Sequence, residues 1–315
     1  MATTRFSEFG GRTQLDSAFL QDTWRWSPNW NAVLGLRSEH WRASDGLLAN
    51  ASREFTFPGR SEQSFSPKAA VEWLAGEQWS LKASIGRAVR YPTVSELFQG
   101  SIATDAVVNN DPDLRPERAT TSELTWIREL GTGHVRATLF HEHVRDALYS
   151  QTNATVTPSV TNIQNVGLMR TTGVELSLQQ RGLLSDRLDL DASLTFADSK
   201  TVENGNFPAS EGKWQPRVPR WRANLLATYR LGERWAFTGG LRYSGKQFNT
   251  LDNADTNGDA WTGTSDFLVA DARVVFRPDH HWSAALGVDN LGNRTYWNFH
   301  PYNQRTWQLE LRFDD

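Results

Sequence analysis

The feature that most constrains this chain is an alternation of apolar and polar side chains with a period of two, which recurs from one end to the other. The stretch 187–197 shows the pattern clearly, with Leu188, Leu190, Ala192, Leu194 and Phe196 on one face and Asp189, Asp191, Ser193 and Thr195 on the other. This pattern is typical of a β-strand whose two faces meet different environments. Each segment is about 9 to 11 residues long, the length that a tilted strand needs to cross a bilayer.

We predict about thirteen strands by this rule, centred on residues 17–26, 30–40, 65–75, 79–89, 120–129, 134–148, 165–180, 187–197, 220–231, 234–246, 266–277, 281–290 and 304–313. The connections between them alternate strictly between short and long. The long connections lie near residues 41–64, 90–119, 149–164, 198–219, 247–265 and 291–303. Alternate connections of an up-and-down antiparallel sheet emerge at the same edge, so we expect one edge of tight turns and one edge of long loops. Greek-key sandwiches have no reason to follow that rule.

The fourteen tryptophans show the same asymmetry. Eight of them lie within a few residues of a short connection: Trp24, Trp26, Trp30, Trp73, Trp79, Trp126, Trp235 and Trp282. A membrane interface selects such rings at one rim, because the indole body is apolar and its N–H group needs water or headgroups. The alternative is that tryptophan fills these positions through its β-propensity. Connection length and ring position are independent signals, and both favour a membrane protein.

The polar strand faces carry charges that a hydrated lumen would accommodate: Arg222, Arg230, Asp271, Arg273, Glu310 and Arg312. We therefore predict an all-β fold, an antiparallel up-and-down transmembrane β-barrel segment of about 13 strands, rather than a soluble barrel with an apolar interior.

Composition narrows the function further. The net charge of −3 gives no general basis for binding nucleic acid, and the absence of cysteine excludes disulfides and thiolate metal sites. The chain contains no apolar run of about 18 residues, the length of a transmembrane helix. The first residues lack the basic and apolar regions of a secretory signal, so we expect any export signal to lie outside this chain.

Two stretches resemble a segment that recurs in TonB-dependent outer-membrane receptors. They are "GRAVRYPTVSELF" (residues 86–98) and "NDPDLRPERATTSELT" (residues 110–125), similar to G-x-A-F-R-x-P-T-x-x-E-L-Y followed by N-P-x-L-x-P-E. Further matches follow in the family's order along the chain: "SFSPKAAVEW", "TLFHEHVRDALY", "NVGLMRTTGVELSL", "PRVPRWRANLLATY" and "GVDNLGNRTYW". The resemblance covers nearly the whole chain, and the collinear order makes it specific.

The resemblance implies a 22-stranded barrel around an N-terminal plug domain, which imports iron–siderophores, cobalamin, other metal chelates or saccharides with energy from the inner membrane. Residues 1–315 contain no plug and no energy-coupling box, so we expect them to be the C-terminal portion of such a barrel in the bacterial outer membrane. The partners implied are outer-membrane lipid, a small-molecule ligand such as a metal chelate, and an inner-membrane energy-coupling protein acting through the plug. We expect no cofactor, no nucleic-acid partner and no enzymatic activity.

Ligand-binding candidates lie in the long connections: Arg90, Tyr91, Glu96, Asn110, Arg115, Glu117 and Trp214. The alternative for the charged residues is that they pair with each other and fix the fold. We favour that alternative, because the motif recurs in a family whose ligands differ.

Two groups resemble metal sites weakly. The stretch "LDNADTNGDAW" brings together Asp252, Asp255 and Asp259, but Thr264 occupies the position where a calcium loop has its bidentate acid, so we favour a solvated loop. His141 and His143 share one strand face, but no third ligand follows from spacing, so we favour a surface pair near the outer rim.

Two other functions stay open. An outer-membrane barrel enzyme would be favoured if His141, His143 and an acid converged within hydrogen-bond reach, although the sequence has no nucleophile elbow, phosphate loop or H-E-x-x-H helix. A non-transporting truncated remnant would explain the missing plug.

Overall fold

The computed structural model describes residues 7–50, 53–102, 106–153 and 157–314. These residues form two short α-helices, α1 (Val94–Phe98) and α2 (Leu183–Asp186), and a 3-10 helix, Pro208–Ser210. They also form strands β1 (Ser7–Ser27), β2 (Trp30–Asn50), β3 (Glu54–Phe57), β4 (Arg60–Leu74), β5 (Trp79–Arg90), β6 (Gly100–Ile102), β7 (Ala106–Asn109), β8 (Glu117–Glu129), β9 (Gly133–Asn153), β10 (Ser159–Gly182), β11 (Leu188–Glu203), β12 (Trp221–Leu231), β13 (Trp235–Ser244), β14 (Phe267–Phe276), β15 (Trp282–Asp289), β16 (Trp297–Asn298), β17 (His300–Pro301) and β18 (Thr306–Phe313). No helix in the described ranges combines the length and hydropathy needed to traverse a membrane.

One large sheet dominates the molecule. Thirteen strands follow each other across it in the order β1-β2-β4-β5-β8-β9-β10-β11-β12-β13-β14-β15-β18, and every neighbouring pair on this path is antiparallel. The predicted up-and-down arrangement of about thirteen strands is therefore confirmed. Within the described residues the sheet is not closed, since β1 pairs with β2 alone and β18 pairs with β15 alone.

The tight turns all lie at one edge of the sheet, as the alternation of short and long connections predicts. Several of them reverse the chain through a glycine with a positive φ, such as Gly76 (82°), Gly131 (79°) and Gly232 (64°). A residue with a side chain rarely adopts this conformation, so glycine lets the chain turn without strain.

The strands next to the long connections are longer than predicted. β1, β2 and β9 each have 21 residues and β10 has 24, so these strands continue well beyond the length that spans a bilayer. The predicted loop 41–64 is largely strand, because the backbone groups beyond the bilayer still satisfy each other across the hairpin. The short strand β7, which lies in the predicted connection 90–119 and outside the thirteen predicted strands, runs parallel to β10.

The apolar face of the sheet has no covering layer in the described part of the chain. The register aligns one row of apolar residues across five neighbouring strands, here called the apolar belt: Ala83, Leu124, Leu139, Val174 and Phe196. Large side chains on this face remain accessible, with Ile85 at 52%, Leu139 at 54% and Leu176 at 45% exposure. A contiguous apolar surface of this extent suits lipid rather than water.

Aromatic rings line the edge of tight turns. Ring centroids are 5.9 Å apart for Trp26 and Trp30, 6.0 Å for Trp30 and Trp73, and 4.7 Å for Trp79 and Trp126. We call this set the aromatic rim. It lies where a membrane–water interface places amphipathic rings.

The buried side chains cluster at the opposite edge, among the long connections. The larger cluster contains Trp41, Ala43, Tyr91, Leu97, Phe98, Leu114 and Leu148, and a second contains Ala147, Val166, Met169 and Leu251. The protein core therefore lies above the transmembrane part of the sheet and not inside it.

Candidate functional site

A short capped helix organises the long connection that follows β5. Thr93 begins α1: its hydroxyl accepts a hydrogen bond from the Glu96 amide at 3.3 Å, and the Glu96 carboxylate accepts one from the Thr93 amide at 2.8 Å. This reciprocal capping box satisfies backbone donors that the helix leaves free. Arg90 adds an ion pair to Glu96 at 2.9 Å. Burial raises the pKa of the Glu96 carboxyl, but these hydrogen bonds outweigh burial and hold the pKa below its ordinary value.

Tyr91 is a buried anchor for the same connection. Its ring stacks on Trp41, with centroids 5.6 Å apart and planes 11° from parallel, and its hydroxyl is hydrogen-bonded to that of Ser64. Burial raises the pKa of the Tyr91 hydroxyl, against the opposing effect of the bond to Ser64. With 9% exposure, the side chain contributes to the protein core and offers little surface to a solute.

Asn110 and Glu117 tie the end of this connection to its neighbours. The Asn110 amide donates to the Ser95 carbonyl of α1 at 2.5 Å, and the Glu117 carboxylate accepts the Leu148 amide at 3.0 Å. Arg90 lies between two acids, because its guanidinium is also 3.9 Å from Glu117.

Arg115 holds the connection to the hairpin of β9 and β10. Its guanidinium pairs with Asp146 at 2.7 Å, and its backbone exchanges two hydrogen bonds with the Asn165 side chain, at 2.8 and 2.9 Å. The side chain is nevertheless largely exposed, so one face remains open to solvent.

The structure thus brings Arg90, Tyr91, Glu96, Asn110 and Glu117 together around α1, and places Arg115 against Asp146. Each of them bonds to the chain itself, which favours the architectural alternative. A role in ligand binding stays a prediction for these six residues.

Trp214 belongs to a separate group that joins two other long connections. The Arg220 guanidinium lies 5.2 Å from the Trp214 ring centroid, the Phe248 ring lies 5.8 Å away, and the Lys246 amine is 4.9 Å from Phe248. The Asn253 side chain makes two hydrogen bonds to the Trp214 backbone: its oxygen accepts the Trp214 amide at 2.8 Å, and its nitrogen donates to the Trp214 carbonyl at 2.9 Å. Phe248 is buried and Trp214 is partly buried, so this group offers an anionic chelate its two cations rather than open ring faces.

A second aromatic group escaped the sequence reasoning. Trp261 is 64% exposed and lies 5.5 Å from the Trp297 ring and 5.3 Å from His300. The sequence does contain a signal for this group, since Trp261 and Trp297 are large rings within polar connections. The sequence analysis considered only the tryptophans close to tight turns and therefore missed them.

The three aspartates proposed as weak metal candidates are used by the loop itself. Asp255 accepts hydrogen bonds from the Asn249 amide at 2.6 Å and the Thr250 hydroxyl at 2.7 Å, Asp259 accepts the Ser265 hydroxyl at 2.6 Å, and Asp252 accepts the Ala254 amide at 3.2 Å. Over the described ranges, no three histidine or acidic side chains are grouped so that they could hold a metal ion. These contacts favour the solvated loop.

His141 and His143 form a surface pair. Their Nε2 atoms are 2.8 Å apart, and the other ring nitrogen of His141 is 2.7 Å from the Thr172 hydroxyl. The bonded partners of His141 are thus a histidine and a threonine. The acid whose convergence would favour a barrel enzyme is not among them.

The fold, the apolar belt and the aromatic rim define the class of an outer-membrane β-barrel. The family model described as "TonB dependent receptor-like, beta-barrel" matches residues 2–291. The chain belongs to this family, whose members reside in the bacterial outer membrane.

Curated relatives and solved structures agree with this assignment. The chain is 23% identical over 300 residues to "Probable TonB-dependent siderophore receptor PiuA" of Acinetobacter baumannii, covering 92% of this chain and 38% of the relative. It is 25% identical over 298 residues to "Probable TonB-dependent receptor BfrD" of Bordetella pertussis, covering 90% of this chain and 38% of the relative. The chain therefore spans less than half the length of these relatives. Both are named as receptors and not as enzymes.

Solved structures share the fold. "Copper transporter OprC" superposes with a TM-score of 0.74 at 20% identity, covering 96% of this chain and 49% of that chain. The siderophore receptor PiuA from Acinetobacter baumannii gives 0.74 at 19% identity, covering 96% and 43%. The ferric citrate transporter FecA in its unliganded form gives 0.73 at 22% identity, covering 96% and 45%.

Proposed function

We propose that residues 1–315 form the C-terminal portion of a receptor barrel that imports an iron–siderophore or a similar metal chelate by TonB-dependent transport. The single observation that carries the proposal is the family match over residues 2–291. The names of the relatives and structural neighbours, which include siderophore, ferric citrate and copper transporters, support a metal chelate as the solute class.

The solute would bind at the edge of long connections. The group around Trp214 offers the cations Arg220 and Lys246, and the separate group around Trp261 offers an exposed ring. An anionic chelate is attracted to these cations, and its aromatic or apolar parts stack on the rings. Release into the periplasm then depends on a plug domain that the inner-membrane energy-coupling protein pulls. Movement of the plug lowers the affinity of the receptor for the solute, and the solute is released.

The test compares two proteins in cells that lack their own outer-membrane iron receptors: the 315-residue chain, and the same chain joined to a plug domain and to the strands that complete the barrel. We expect uptake of radiolabelled ferric chelates only with the completed protein, and we expect Trp214→Ala together with Trp261→Ala to lower uptake without lowering the amount of barrel in the membrane. Correctly inserted, plug-joined barrels that take up no metal chelate would contradict the proposal and would favour a non-transporting remnant.

A further inference from the structure

Two histidines lie on the lipid-facing side of β9, next to the apolar belt. His141 and His143 follow Leu139 by two and four residues, and side chains an even number of residues apart share one face of a strand. They therefore lie about 7 and 13 Å from the belt, on the side of the long connections. An ionisable side chain that faces lipid is rare and points to a functional role. Because the polar face of the sheet is on the other side, this role is separate from the route of a solute.

The two rings converge through the same nitrogen atom. Their Nε2 atoms are 2.8 Å apart, and the ring planes are inclined at 72° to each other. Two imidazole nitrogens that bind one metal ion, each at about 2.0 to 2.1 Å, are themselves about 2.9 to 3.4 Å apart, depending on the angle at the metal. Small rotations of the two rings therefore convert the observed pair into a chelate.

Thr172 of β10 orients the ring of His141. Its hydroxyl is 2.7 Å from Nδ1 of His141, and the two residues are directly opposite in the register of β9 and β10. A metal-bound histidine commonly has such a partner for its other ring nitrogen, because the bond fixes the tautomer and the direction of the ring. When Nδ1 donates to Thr172, Nε2 of His141 keeps the lone pair that a metal ion needs. The proton on Nε2 of His143 moves to its own Nδ1 on metal binding, which leaves both rings neutral.

We infer that His141 and His143 bind one divalent transition-metal ion, Cu²⁺ most tightly, on the lipid-facing surface of the sheet. No third histidine or acidic side chain is grouped with them in the described part of the chain, so water completes the coordination shell. Imidazole nitrogen suits Cu²⁺, Ni²⁺ and Zn²⁺, whereas Mg²⁺ and Ca²⁺ require oxygen ligands. Arg170 is opposite His143 in the register, and its positive charge weakens the binding of a cation there.

The test uses the chain joined to the plug and to the strands that complete the barrel, without an affinity tag, in detergent micelles. Calorimetric titration with CuCl₂, in a buffer that does not bind metals, gives the affinity. We expect His143→Gln to weaken Cu²⁺ binding about 100-fold, the lower end of the gain from linking two ligands. Thr172→Val frees the ring of His141 and should weaken binding about tenfold. Arg170→Gln should strengthen it about 2- to 5-fold, and Mg²⁺ and Ca²⁺ should not bind.

The matched control removes another pair of histidines, His280→Gln with His281→Gln. These rings are 3.9 Å apart in a tight turn at the other edge of the sheet, and Nδ1 of His281 is 3.0 Å from the Asp314 carbonyl. The control should change the affinity by less than about twofold, and pulsed EPR of its bound Cu²⁺ should detect two imidazoles.

Fewer than two imidazoles in that spectrum, or equal binding by the wild type and His143→Gln, would overturn the inference. So would weaker binding in Arg170→Gln, because it would show that the bound species is not held as a cation. If His143→Gln does not fold, the EPR spectrum of the control barrel decides the question without it.

Discussion

The two edges of the sheet are stabilised in different ways. At the edge of tight turns, stacked rings of the aromatic rim lie on a single layer of strands, with Trp79 and Trp126 only 4.7 Å apart. At the edge of long connections, a capped helix, ion pairs and two buried clusters build a protein core. The first edge is shaped by the membrane and the second by the chain's own packing. The same sheet is therefore stabilised like a membrane protein near the tight turns and like a globular protein near the long connections.

The largest effect should come from charging the apolar belt between the two edges. Leu139→Arg places a cation against lipid and should lower the stability of the inserted sheet by about 2 to 4 kcal/mol. The control Thr138→Arg changes the neighbouring residue, which points to the polar face, and should cost much less. The measurement is the folded fraction of the completed barrel in lipid vesicles, followed by the heat-dependent shift in gel mobility. Equal losses would mean that lipid does not contact Leu139.

Truncating the core of the long-connection edge comes next. Leu97 is 1% exposed in α1, so Leu97→Ala leaves a cavity and should destabilise this edge by about 2 to 3 kcal/mol. Because the aromatic rim does not share this core, the loss should appear as faster hydrogen exchange and proteolysis at the long-connection edge, including the ends of β2 and β9 that pack on Leu97. Leu291→Ala, at an exposed position of another long connection, serves as the control. Uniformly faster exchange in all strands would show that the two edges are not separate.

Removing a ring from the aromatic rim should have a smaller effect. Trp79 stacks on Trp126, and the Arg128 guanidinium lies 4.7 Å from its ring centroid. Trp79→Ala should cost about 1 to 2 kcal/mol when the completed barrel is unfolded by denaturant from vesicles, and a double-mutant cycle with Trp126→Ala should give a coupling of about 1 kcal/mol. Trp261→Ala at the other edge should leave stability nearly unchanged. A coupling near zero would mean that the rings contribute only as separate interface residues.

The smallest effect concerns the pH dependence of α1. The folded-state pKa of Glu96 lies below its ordinary value of 4.5, so its contribution is present above that value and is lost as the pH falls through the folded-state pKa. Glu96→Gln should therefore cost about 1 kcal/mol of local stability at neutral pH and nothing in strong acid. The measurement is the hydrogen exchange of the Leu97 and Gln99 amides from neutral pH to strong acid, which reports the local stability of α1 in the wild type and in Glu96→Gln. A cost that is independent of pH would show that the carboxylate charge is not needed.

The sequence predicted the membrane-determined part of this molecule well. Lipid on one side and water on the other impose an apolar–polar alternation with a period of two on every strand. This alternation gives the number of strands and shows at which edge of the sheet each connection lies. The tryptophans near Ser27–Asn29 or Gly76–Gln78 were readable for the same reason.

The long-connection edge was less predictable, because its contacts join residues far apart in sequence. Arg115 meets Asn165 50 positions later, and Tyr149 meets Gln215 66 positions later. No periodicity encodes such pairs. The capping box at Thr93 and Glu96 is local and can be read from "PTVSELF", but the long-range contacts around it can be seen only in the structure.

The open margins of the sheet determine how this polypeptide can enter a bilayer at all. β1 and β18 each leave one side of their backbone without a strand partner in the described residues, and hydrocarbon supplies no donor or acceptor to replace one. Several kcal/mol per bare amide or carbonyl make a half-finished sheet untenable in lipid. These two margins therefore need complementary strands before the sheet can lie in hydrocarbon, which couples insertion of this polypeptide to closure of the sheet.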